Sequence, residues 1–152
     1  MGRVLMRTPE LVEPLKAHTR FTHSRPGGRR LQMRLASLQG IKLPGIDLRE
    51  AILSGADLSD TVLTEASFDR ADLYGADFSG ADLRLAMFCS ADIRGAVFRG
   101  ASMAGADLTG ADLRPGAYAD SGLKLVGAQK TARHRARQQV ASRGWGDRIQ
   151  CS

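Results

Sequence analysis

The sequence holds little of what most functional signatures are built from. Of 152 residues only two are cysteine and three are histidine, and aromatic residues make up 5%. Cys89 and Cys151 stand far apart with no CxxC pair and no metal-ligand spacing. In a cytoplasmic protein a disulfide between them is not expected. His18, His23 and His134 lie outside the central part of the chain, away from Cys89. There is no GxSxG, HExxH, P-loop or dinucleotide fingerprint. No run of about 18 apolar residues offers a membrane span. Met1 to Glu10 is basic but lacks the apolar stretch of a secretory signal. These absences predict a cytoplasmic protein with no catalytic residues, no cofactor and no metal.

Charge is present, and it is unevenly placed. The net charge of +6 hides three parts. Residues 1–35 carry +6, residues 36–125 carry −5 and residues 126–152 carry +5. An acidic middle between two basic ends points to binding partners rather than to a fold.

The middle has a period of five. From Ala36 to Leu125 the chain divides into eighteen pentads without a slip, among them ADLSD, ASFDR, ADLYG, ADFSG and ADIRG. The third residue is always Leu, Phe, Ile, Met or Tyr. The first is Ala in thirteen pentads, the second Asp in eight and the fifth Gly in nine. Neither a helix nor a plain strand has this period. Two inward positions in five suit a short straight segment followed by a corner, and four such segments close a square coil. Stacked coils then satisfy one another's backbone groups.

This pattern closely resembles the pentapeptide-repeat family, whose motif is A(D/N)LXX. The resemblance implies an all-β solenoid, a right-handed quadrilateral β-helix with about twenty residues per coil. Residues 36–125 would make about four and a half coils, a rod roughly 22 Å long at the ~4.8 Å strand spacing. It also divides the chain into a basic N-terminal segment or cap (1–35), the β-helix (36–125) and a basic C-terminal helix and tail (126–152). With a twenty-residue coil, Phe78 and Phe98 fall in one inward column, and Phe68 and Phe88 in the facing one.

With no catalytic constellation and no pocket along a packed axis, a non-catalytic binding or scaffold role with a protein partner is expected. Some members of the family bind DNA gyrase by resembling DNA through rows of acidic side chains, and confer quinolone resistance or protection from gyrase-directed toxins. The corresponding acidic face here is Asp57, Asp60 and Asp77. A second ladder, Asp72, Asp92 and Asp112, has Arg94 and Arg114 beside it, which favours mutual neutralisation over metal binding. Outward apolar residues Leu85, Met87 and Val97 form a candidate interface.

The ends add two further expectations. Thr8-Pro9-Glu10 reads as a helix start, with Leu11, Val12 and Leu15 as its apolar side and Pro14 limiting its length. Leu31, Met33 and Leu35 would cap the open end of the core. Ala128, Ala132, Ala136 and Val140 recur at a spacing of four, predicting a helix over 126–143 that serves either nucleic-acid binding or homodimerisation. Its candidate nucleic-acid contacts are Lys130, Arg133, Arg135 and Arg137. Trp145 is expected to pin the tail to the last coil.

Overall fold

The structure is a computed structural model that describes residues 8–114. From Leu31 onward its backbone repeats every five residues. The third residue of a pentad donates its N–H to the next coil, as Leu48 does to the Ser67 carbonyl at 2.8 Å. The second residue donates to the previous coil, as Ser67 does to the Ile46 carbonyl at 2.9 Å. Parallel bridges join residues twenty apart, from Gln32–Ile52 to Asp92–Asp112. One coil is therefore four pentads, and coils stack in parallel.

Each corner is a four-residue turn. Ala51 N–H closes one on the Leu48 carbonyl at 3.1 Å, and Glu50, the fifth residue of its pentad, sits at φ 62°. Every fifth residue from Leu35 to Gly110 has φ between 56° and 73°. That is the left-handed region a type II turn requires at its third residue, which explains the preference for glycine there.

The corner leaves one donor over, the N–H of the fourth residue. The second-position Asp accepts it. All eight such pairs form, from Asp47–Arg49 to Asp112–Arg114, at 2.9–3.3 Å. An Asp side chain bonding its own backbone two residues on is a local turn device. Lys42 stands at the second position of a pentad whose fourth residue is Pro44, which has no N–H to satisfy.

The interior is filled. The first-position alanines of the middle coils are fully buried, as are Phe68, Phe78, Leu53, Leu63, Leu73 and Leu83. Phe68 stacks on Phe88 at 4.9 Å, and Phe78 on Phe98 at 5.1 Å. The two stacks meet edge to face, at 5.8–6.1 Å. Both arrangements suit the quadrupole of the rings, and both follow the columns read from the sequence.

Helix α1, Thr8–Thr22, lies at the first coil and buries Leu11 and His18. It runs through Pro14 instead of ending near it, because it is anchored on both sides of that residue. Val12 does not share the apolar side and is 43% exposed. The pentad geometry begins one unit earlier than residue 36. Leu31–Leu35 already bridges to the next coil through Gln32 and turns its corner at Leu35, φ 57°. Leu31 and Met33 point inward, whereas Leu35 is a corner residue, 66% exposed. Among the described residues no helix is long and apolar enough to cross a membrane. The expectations for pentads 116–125, the helix over 126–143 and Trp145 lie outside the described residues.

Candidate binding faces

Four walls leave four outward faces, and the residue two places after each Asp decides their charge. Where that residue is Arg, the guanidinium folds back onto the carboxylate. Asp47–Arg49, Asp82–Arg84, Asp92–Arg94 and Asp112–Arg114 close at 2.6–2.8 Å. Each pair is bidentate, the arrangement that a planar guanidinium favours.

The carboxyl pKa values follow. Arg114's guanidinium, with its own backbone N–H, brings Asp112 down to about 2. Burial opposes ionisation at Asp47, but the Arg49 guanidinium and N–H outweigh it, with a smaller contribution from the Thr22 hydroxyl, and the result is again about 2. Asp82 and Asp92 are lowered by Arg84 and Arg94 in the same way. Arg94 also approaches Asp112 at 3.7 Å and lies over the Tyr74 ring at 5.4 Å. The ladder of Asp72, Asp92 and Asp112 is thus largely neutralised from within.

Asp57 and Asp77 are different. They are bridged neighbours in successive coils, and each is followed two places later by serine. Asp57 accepts the Ser59 N–H at 3.1 Å and its hydroxyl at 2.6 Å, and Asp77 accepts the Ser79 N–H at 2.9 Å. Asp60 occupies the corner after Asp57, with the Gln39 amide 3.4 Å away. The structure therefore brings the three candidate acidic residues together, but the column stops at Val97.

The candidate apolar interface separates. Met87 belongs to the column of Ser67 and Asp107, and Val97 to that of Asp57 and Asp77. Half a coil lies between them, so they face opposite sides of the rod. Leu85 alone is well exposed, at 48%. Cys89 is buried and is disulfide-bonded rather than the free thiol expected of it. Cys151 and the tail candidates Lys130, Arg133, Arg135 and Arg137 lie outside the described residues.

Two features near the walls had no signal in the sequence pattern. Asp69, at a fourth position, is 8% exposed and accepts the Cys89 N–H at 3.1 Å from the next coil. His18 is fully buried, and its Nδ1 accepts the Leu31 N–H at 3.0 Å.

The family model for pentapeptide repeats matches in eight copies, at residues 32–68, 51–88, 66–101 and 81–114. The chain belongs to the pentapeptide-repeat family. The fold of pentapeptide-repeat proteins is the right-handed quadrilateral β-helix. Solved pentapeptide-repeat structures similar to this chain include Rfr23 of the cyanobacterium Cyanothece 51142, at 31% identity over 53% of this chain and 58% of that one, TM-score 0.37. A thylakoid-lumen protein of Arabidopsis thaliana is similar at 36% identity over 51% of this chain and 61% of that one, TM-score 0.33. The matched stretch thus spans less than two thirds of either structure. QnrB1, a plasmid-mediated fluoroquinolone resistance protein, is similar at 23% identity over 54% of this chain and 55% of that one, TM-score 0.34. No curated protein matches the chain.

Proposed function

We propose that this pentapeptide-repeat protein is a non-catalytic scaffold that binds another protein through the walls of its solenoid. The observation that carries this reading is the contrast between the walls. Asp57 and Asp77 are stacked one coil apart and each is followed two places on by a serine that it accepts from, while Asp47, Asp82, Asp92 and Asp112 are each held by an arginine at that place. With the axis filled by Phe and Leu, recognition falls to the outside. The carboxylates of Asp57 and Asp77 suit a basic surface on the partner. Within this reading α1 caps the N-terminal end of the rod, where an open coil would expose its apolar column.

The test keeps the fold and removes the charge. Asn retains the oxygen that accepts the fourth-position N–H, so Asp57→Asn with Asp77→Asn leaves the corner bonds in place. Cross-linking followed by capture, run with both forms, should show a partner that the double variant loses. An identical set of partners would sink the proposal.

A second reading treats the same wall as a DNA-like surface for gyrase. Asp57, Asp77 and Asp60 favour it. Charge density opposes it, because a duplex carries one negative charge per ~1.7 Å of axis, whereas stacked coils offer one per ~4.8 Å. Inhibition of purified gyrase by the wild type, lost in the double variant, would reverse this ranking.

A further inference from the structure

A groove of about 600 Å³ runs between α1 and the first pentad, with Glu13, Pro14 and Arg20 on the helix side and Arg29, Arg30 and Gln32 on the other. Its arginines differ from five of those in the coils. Arg49, Arg70, Arg84, Arg94 and Arg114 each pair with a carboxylate. Among the described residues Arg20 and Arg29 pair with none, and Arg30 donates to the Glu50 carbonyl. Three guanidinium groups therefore border one groove, against the single carboxylate of Glu13.

The groove also has an open backbone edge. In later coils the second-position residue pairs with the coil before it, as Ile52 does through its N–H to the Leu31 carbonyl and its own carbonyl to the Met33 N–H. Gln32 holds the same position in the first coil, where no described coil precedes it, and neither its N–H nor its carbonyl has a backbone partner among the described residues. An unpaired edge accepts an extended chain.

We propose that this groove captures an extended acidic peptide of a partner protein, with its carboxylates on Arg20, Arg29 and Arg30 and its backbone paired to Gln32. A peptide fits both features, the charge and the edge. A phosphate chain would use only the first. The surface is separate from the Asp57–Asp77 wall, so the two readings stand or fall independently.

The experiment is fluorescence anisotropy on the full chain, with a labelled decapeptide alternating Glu and Val. The peptide should bind, and Arg20→Ala with Arg29→Ala should weaken it about tenfold or more, because each removes a charged contact. Both side chains are exposed, so the fold should be unchanged by circular dichroism. Asp57→Asn with Asp77→Asn should have no effect. Hydrogen exchange at the Gln32 amide should slow when the peptide is bound. Absence of binding, or equal binding of an alternating Lys-Val peptide, would overturn the proposal. So would sensitivity to Arg133→Ala, Arg135→Ala and Arg137→Ala in place of the groove variants. An unprotected Gln32 amide, or tighter binding of a single-stranded oligonucleotide at the same arginines, would overturn it as well.

Discussion

The Asp69 carboxylate accepts the backbone N–H of Cys89 from the next coil, at 3.1 Å. It does so because the pentad of Cys89 has Met87, not Asp, at its second position and cannot satisfy that donor itself. Removing the acceptor leaves a buried N–H unpaired. Asp69→Ala should cost about 1–3 kcal/mol in chemical denaturation. Asp69→Asn keeps an acceptor oxygen and should recover most of the loss. Equal losses from Ala and Asn would show that charge, not the hydrogen bond, is what matters.

Leu85 holds a corner at φ 60° while exposing 48% of its surface. A left-handed conformation costs a non-glycine residue about 1–2 kcal/mol, part of which glycine returns through the entropy of the unfolded chain. Leu85→Gly should therefore stabilise by about 0.5–1 kcal/mol. Gly100→Ala is the converse. Its φ is 69° and the nearest atom to an added methyl is 3.8 Å away, so its loss of about 1 kcal/mol would be conformational, not steric. Thermal melts of the two variants should shift in opposite directions.

Docking of α1 should depend on pH through His18. Nδ1 accepts the Leu31 N–H, so the neutral ring carries its proton on Nε2, which has no hydrogen-bond partner. Burial lowers the pKa from 6.5, against the pull of Asp47, the Arg49 carbonyl and Glu50, and with a smaller push from Arg30. When the helix is undocked the ring protonates as pH falls through 6.5. When docked it resists. The undocked state then binds more protons, so docking is strongest above that pH and weakens steadily below it. Exchange of the α1 amides, corrected for intrinsic rates, should rise on acidification in the wild type and stay flat in His18→Gln. Asp47, held near 2, titrates too low to imitate this, so a variant that loosens over the same range as the wild type would rule His18 out.

Gly28 lies against the end of α1. A methyl there would stand 2.5 Å from Phe21 N and 2.7 Å from its Cα, and neither backbone atom can move aside cheaply. Gly28→Ala should cost about 1–3 kcal/mol. The damage should be confined to α1 and the loop, with the amides of residues 50–100 keeping their protection in hydrogen exchange.

The coil was legible because inward positions must be apolar in strict register, and small or large according to their place. Pentads such as ADLYG state both requirements in five letters. Leu31–Leu35 went unread because LQMRL has neither the small first residue nor the glycine corner, although its backbone does the same thing. The neutralisation of Asp92 and Asp112 is half-visible in the sequence as neighbouring ladders of opposite sign, whereas that of Asp47 and Asp82 is not. Its true rule, arginine two places after aspartate, depends on how the corner turns. Asp69, His18 and the arginine groove were not legible, since each depends on contacts across coils or between α1 and the first pentad. Met87 and Val97 show the reverse case, since an outward position in the pentad does not by itself say which of the four faces a residue lies on.

The twenty-residue pairing also limits how such a protein can change its length. An insertion of four pentads would lengthen the rod by one storey and leave every face as it was. A single inserted pentad would keep all side chains inward or outward as before, yet swing everything downstream by a quarter turn. Placed between Asp57 and Asp77, it would move Asp77 round the corner onto the neighbouring wall. Fold and recognition therefore have different indel rules. The fold accepts multiples of five, but an intact face accepts only multiples of twenty, so two sequences that align pentad for pentad can still present different surfaces to a partner.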